Sequence, residues 1–215
     1  MTKRKLSLVT KGNAKLGPDV WHTNTKVGPE GSCGDTVSEW CESHCYAMKG
    51  HYTFPSVRSK YDLNFEMLRD EPSLYEAELL ADVETLPIGS IFRFHTGGDI
   101  FDVGHVGIIR RVCESRPDIE FYLYTRRWQS QLMREAIEAQ LFELHNLTVW
   151  GSTDPSMPSV PDGWREARVF DTWEEATEGG FRSHCPEQTG LRPDCQSCGL
   201  CWKAKPSARL AFAAH

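Results

Sequence analysis

The stretch Ser90-Ile-Phe-Arg-Phe-His-Thr-Gly-Gly-Asp99 decides the fold. Residues 90 to 96 alternate in character as a strand does, and the run breaks at two glycines and an aspartate into a turn that looks functional. Upstream, Val57, Tyr61, Phe65 and Leu68 recur at three- and four-residue spacing, the signature of one helical face over Ser56 to Leu68. Ser73 reads as an N-cap with Glu76 three residues on, and that second helix runs to about Thr85 before Pro87 stops it. Downstream, Val103 to Ser115 reads as a helix and Ile119-Glu-Phe-Tyr-Leu-Tyr-Thr125 as the clearest strand, because aromatic residues favour pleated surfaces. An amphipathic helix over Gln129 to Leu144 follows, with Leu132, Ala136, Ala139, Leu141 and Phe142 inward. Leu147 to Gly151 and Ala167 to Phe170 are further strands, and Val20 to Asn24 is the first.

Strands alternating with helices predict parallel pairing with right-handed crossovers. The expected architecture is α/β: an incomplete (β/α) barrel or an open parallel sheet of about five to six strands, with a cysteine-rich N-terminal loop and C-terminal segment. Residues 1–215 read as a single domain, 20–172 as its partial-barrel core, and 181–215 as a cysteine-rich segment packed on that domain. Polar groups fall at several strand ends: Thr96 to Asp99, Thr125 to Arg127, Ser152 to Asp154, and Asp171 with Thr172. In parallel α/β folds such carboxyl ends share one edge, which is where sites collect. Polar loops alone would give the same pattern.

Composition narrows the partners. Lys and Arg number 24 against 30 acidic residues, a formal charge of −6, which disfavours nonspecific binding to phosphate backbones. No apolar run approaches the ~20 residues of a membrane helix, and Lys3, Arg4 and Lys5 near the start have no long apolar core behind them, so a cytoplasmic chain is expected. The partners left open are a small molecule or another protein. Eight cysteines without a secretory signal point to metal or redox chemistry rather than a disulfide framework.

The cysteines fall into two sets. Cys185 precedes Cys195, Cys198 and Cys201, the last three at two-residue gaps that let thiolates wrap separate corners of a 4Fe-4S cluster, and Gly199 eases the tight turn between them. Zinc is the alternative metal, although structural zinc more often draws two separated pairs. Cys33, Cys41 and Cys45 form the second set, the number of thiolates a four-iron cluster has when one iron is left open. One shared centre or two clusters both satisfy the spacing. Cys113 lies in a predicted helix and reads as a buried small apolar residue. His95 and His184 are pocket candidates, whereas His44 and His51 are simply close in sequence to the cysteines. Arg126 and Arg127 read equally well as an anion-binding pair or as a solvated one. Trp21, Trp40 and Trp202 read as apolar shielding close to the cysteines.

Cys41-Glu-Ser-His-Cys45-Tyr46-Ala-Met48 and the turn Gly97-Gly98-Asp99 resemble two landmarks of the radical S-adenosylmethionine superfamily. That resemblance implies a cluster-bearing loop after the first barrel strand, with Tyr46 as the aromatic residue. It also implies a turn after the second strand in which Gly97, Gly98 and Asp99 bind the methionine amine of S-adenosylmethionine. Met48 stands where the family has its third cysteine, and Cys33 would supply the missing thiolate from upstream. The wider pattern of Cys33, Cys41, Cys45, Arg93 to Asp99, Tyr124-Thr125-Arg126, Cys185-Pro186, Cys195, Cys198, Cys201-Trp202 and Ala211 to His215 is similar to the actinobacteriophage family called gene product eighty-eight. This second resemblance spans nearly the whole chain and implies a phage origin, hence a host-cell cytoplasm. Two functions follow as expectations: a noncatalytic iron-sulfur protein in electron transfer or redox-responsive binding, or a radical S-adenosylmethionine-like enzyme. A zinc-stabilised interaction protein is the third.

Overall fold

The computed structural model describes residues 7–214, so the basic Lys3-Arg4-Lys5 start and the terminal His215 lie outside the described residues. Seven strands form one sheet in chain order: β1 (Val9–Lys11), β2 (Val20–Thr23), β3 (Ile91–Phe94), β4 (Glu120–Thr125), β5 (Leu147–Thr153), β6 (Arg165–Phe170) and β7 (Arg209–Ala213). β1 runs antiparallel to β2, and every other neighbouring pair is parallel. The helices are α1 (Glu39–His44), α2 (Pro55–Asp70), α3 (Pro72–Glu84), α4 (Val103–Ser115), α5 (Gln131–Leu141), α6 (Trp173–Glu178) and the single turn α7 (Cys195–Cys198).

Because successive parallel strands always step the same way, right-handed crossovers put α2 to α5 on one face of the sheet. The strand pleat supplies that face with Phe92, Phe94, Phe121, Leu123 and Val149, which pack against Leu79, Ile109, Val112, Ile137 and Leu141 of the helices. The three phenylalanine rings stand 5.0–5.7 Å apart, and each is fully buried, worth about 1.5–3 kcal/mol per side chain. The opposite face carries no crossover helix. It is roofed by the two ends of the chain: Leu16, Val20, Tyr122 and Trp202 form one cluster, and Trp150, Ala167 and Leu210 another.

The sheet is open and does not close into a barrel. It also exceeds the expected five to six strands: β1, of three residues, and β7, of five, are added at opposite margins. The C-terminal segment is therefore more than a cover, since its last strand pairs with β6. Ser73 does not cap α3. That helix begins at Pro72, whose fixed φ suits the first helical position, after Glu71. α5 starts two residues later than its pattern suggested because Arg127–Gln129 form a 3-10 turn, and it buries Met133, Ile137 and Leu141. Leu132 and Phe142 are 68% and 40% exposed, since a one-residue phase shift turns a helical side chain by about 100°. Cys113 is buried in the main core, as its helical position implied.

Candidate functional site

Three of the four polar strand ends meet. Asp99 follows β3 and is buried; its Oδ1 accepts from the Ile100 N–H at 2.7 Å and its Oδ2 from the Arg126 N–H at 2.8 Å, beyond β4. Its own N–H donates to Ser32 Oγ at 2.9 Å, which ties the Gly97-Gly98-Asp99 turn to the loop that follows β2. Gly98 has φ +89°, and a Cβ there would lie 2.1 Å from Thr25 Oγ1 and 2.6 Å from Ser32 Oγ, so only glycine permits this approach. Burial raises the Asp99 carboxyl's pKa against the hydrogen bonds that favour its ionised form. Thr172, after β6, is used to cap α6 by accepting from the Glu175 N–H, and no side-chain hydrogen bond ties it to Asp99, Arg126 or Asp154.

Arg126 and Arg127 are neither solvated nor free for an anion. Arg126 Nη1 pairs with Asp154 Oδ2 at 2.5 Å at the end of β5. The same carboxylate oxygen accepts from Ser38 Oγ at 2.7 Å, and Ser38 caps α1 by accepting from the Cys41 N–H at 3.0 Å. Arg127 Nη1 binds Asp35 Oδ1 at 2.7 Å and reaches the Cys33 carbonyl at 3.4 Å. Two arginines thus clamp the loop carrying Cys33, Cys41 and Cys45 to the carboxyl ends of β4 and β5. Asp154 is fully buried; burial opposes its charge, but hydrogen bonds from Ser156, Ser38 and Arg126 outweigh that and hold its carboxyl below the usual value.

All eight cysteines are free, and Cys33, Cys41, Cys45, Cys195, Cys198 and Cys201 are half-buried, whereas Cys185 is buried. Cys33 lies in electrostatic reach of Cys41 and Cys45, and Cys195 of Cys185. Cys201 feels both Cys195 and Cys185. Desolvation pushes the thiols of Cys33 and Cys201 up to about 12 and that of Cys195 up to about 11. Such thiols stay neutral until a metal displaces their protons, the opposite of an activated nucleophile.

The C-terminal set is built onto the helix-free face. The Cys195 N–H donates to the Lys15 carbonyl at 2.9 Å, Trp150 Nε1 holds the Cys201 carbonyl at 2.8 Å, and the Cys185 N–H donates to Ala211 of β7 at 2.9 Å. Gly199 caps α7 at φ +72°, the tight turn its sequence position implied.

The two sets are linked by side chains. Tyr46, next to Cys45, donates to the Thr96 carbonyl, and its hydroxyl lies 3.4 Å from Arg93 Nη2. The Arg93 guanidinium sits 5.1 Å from the Tyr124 ring centre, and Tyr124 packs in the same side-chain clusters as Cys201. The histidines near the cysteines in sequence, and His95, meet other rings. His95 is buried with φ +58° against the His105 ring at 5.1 Å; His184 stacks on Trp173 at 4.8 Å; His44 and His51 stack on Trp40 and Tyr52. Sequence reasoning missed Ser32, Ser38, Asp154 as an anchor, and Arg93. Only Arg93 carried a usable signal, a charge alternating with Phe92 and Phe94 in a strand.

Among the described residues, no group of three or more His, Cys, Asp or Glu side chains is arranged to hold a single metal ion. Four thiolates around one zinc stand about 3.8 Å from each other, from 2.3 Å bonds at the tetrahedral angle. Cys185, Cys195 and Cys201 feel one another's charge, and the Arg93 Nε and the Tyr122 hydroxyl are buried donors without a partner.

Fold and site together define an open α/β protein with two thiol sets, one at the carboxyl edge of its parallel strands and one on the helix-free face. The chain belongs to the gene product 88 family, whose model matches residues 4–204. It is similar to the Gene 88 protein of Mycobacterium phage L5, at 29% identity over 90% of this chain and 87% of the relative. The Gene 88 protein of Mycobacterium phage D29 is likewise 29% identical, over 93% of this chain and 90% of the relative. No solved structure matches.

Proposed function

We propose that this phage-type protein holds iron-sulfur clusters of the four-iron kind, one on Cys33, Cys41 and Cys45 and one on Cys185, Cys195, Cys198 and Cys201. Its role is noncatalytic, in electron transfer or redox-responsive binding of a phage or host protein. The observation that carries this reading is the run of neighbouring side chains from Cys45 through Tyr46, Arg93 and Tyr124 to the cluster that holds Cys201, between two groups of free thiols. When bound, clusters would supply one-electron chemistry. The chain's residues hold the thiols in place, exclude water with Trp150, Trp202 and Tyr122, and clamp the N-terminal loop through Arg126 and Arg127.

The second reading, a radical S-adenosylmethionine-like enzyme, is supported by the order of parts: the cysteine loop follows the first parallel strand and Gly97-Gly98-Asp99 the second. Against it, both Asp99 carboxylate oxygens already accept backbone N–H groups, which leaves that side chain poorly placed to take a ligand amine. Zinc on either set is the third reading and would need four donors about 3.8 Å from each other.

The test is iron and sulfide quantitation on full-length protein purified without air, with Cys33→Ala and Cys198→Ala alongside. Loss of about half the iron in each variant is expected for two independent four-iron centres. Complete loss in both means one shared centre. Zinc without iron or sulfide refutes the proposal, and reductive cleavage of added S-adenosylmethionine favours the second reading.

A further inference from the structure

Arg93 is a cation without an anion. It lies mid-sheet in direct register with His22 on β2 and Tyr122 on β4, so the three side chains stand side by side on the helix-free face. Its Nε is buried and has no acceptor, and among the described residues no carboxylate pairs with its guanidinium. Among the described residues, those in register with it or in ring contact are an imidazole and phenols, with thiols packed beside them. His22 is buried and accepts from Asn24 Nδ2 at 2.9 Å through Nδ1, which suits the uncharged ring; Tyr46, Tyr122 and Tyr124 are phenols; Cys195 and Cys201 pack against Tyr122 and Tyr124 in the same cluster. The Tyr122 hydroxyl is a second buried donor with no partner. A guanidinium stays charged at any ordinary pH, and this one is half-buried, so an opposite charge close by would stabilise it.

We propose that Arg93 and the Tyr122 hydroxyl are positioning residues for the C-terminal centre: they face the sulfurs gathered by Cys195 and Cys201 and stabilise its more negative, reduced state. This rests on the reading of the C-terminal cysteines as cluster ligands. Once those thiols are ligated they are thiolates, and they become the anion that the Arg93 site lacks. Hydrogen bonds and charge at cluster sulfurs are established levers on reduction potential. Removing a positive charge beside the centre disfavours the added electron, so the potential falls. The same position lies on the path to Tyr46 and the N-terminal set, so Arg93 biases which centre holds the electron.

The experiment uses the full chain carrying Cys33→Ala, so that the remaining signal belongs to the C-terminal centre. The chain is loaded anaerobically with ferrous iron and sulfide, and the reduced signal is followed by paramagnetic resonance during a dithionite titration. Arg93→Met is expected to lower the reduced-to-oxidised ratio at fixed potential tenfold or more, a midpoint shift of about 59 mV for one electron. Arg93→Lys, which keeps the charge but not the fork, restores most of it. Tyr122→Phe moves the midpoint in the same direction by less. An unchanged midpoint in Arg93→Met with iron content intact overturns the inference while leaving the cluster assignment standing. A parent chain that takes up no iron and sulfide overturns both. Should Arg93→Met fail to load, Tyr122→Phe decides, and an unshifted midpoint there rejects the proposal.

Discussion

Replacing Asp154 with alanine should loosen the N-terminal cysteine loop and leave the sheet intact. The carboxylate is fully buried and accepts from Arg126 Nη1, Ser38 Oγ, the Ser156 N–H and Ser156 Oγ. Arg126 has a side-chain exposure of only 12%, so the substitution strands a nearly buried guanidinium, and removing one partner of such a pair costs about 3–5 kcal/mol. Ser38 loses the acceptor that orients it, which weakens the α1 cap by about 1 kcal/mol more. For a chain of this size about 4–6 kcal/mol corresponds to a fall in Tm of roughly 8–24 °C. Thermal unfolding of the apoprotein measures this, and alkylation of Cys41 followed by mass spectrometry locates it: Cys41 should label faster than in the parent while Cys113 stays protected in the core. An unchanged Tm together with unchanged Cys41 labelling would refute the clamp.

Gly98→Ala should destabilise more than Gly163→Ala. Both glycines have φ +89°, but a Cβ at Gly163 meets nothing within 4 Å whereas one at Gly98 meets Thr25 and Ser32, so urea denaturation should separate the two variants by about 1–3 kcal/mol of overpacking; equal losses would mean the turn yields freely. Stability should also fall as the solution is acidified from pH 7 to pH 5. Burial lowers His22 to about 4 and His105 to about 3, so the unfolded chain binds those protons first; each contribution is complete above the unfolded value near 6.5 and is lost as pH falls towards the folded one. His95, lowered well below its ordinary value by burial, adds to the loss, and Asp99, shifted upward by burial, works in the opposite sense. A flat profile of urea midpoints between pH 7 and pH 5 would show that these rings are not buried neutral.

The strand pattern of Ile91–Phe94 and Glu120–Thr125 and the helical spacing of α2 and α4 were legible because each reports its own local burial period. So was the gathering of strand ends, because parallel strands in order leave their carboxyl ends on one edge. Open sheet against partial barrel was not legible, since nothing in a strand's own sequence records whether the outermost strands meet. For the edge strands β1 and β7, pairing rather than pattern makes them strands. The phase of α5 turned on where a 3-10 turn ended.

For the site, the sequence by itself determined the ligand chemistry on offer: eight thiols, their two-set spacing, and the glycine turn before Asp99. It could not say that Asp99 spends its oxygens on backbone donors, that Arg126 and Arg127 are anchors, or that Arg93 faces the C-terminal set without a carboxylate. Those facts belong to pairs of residues from separate elements, and only tertiary packing brings them within the few ångströms over which a hydrogen bond forms or a buried charge is felt.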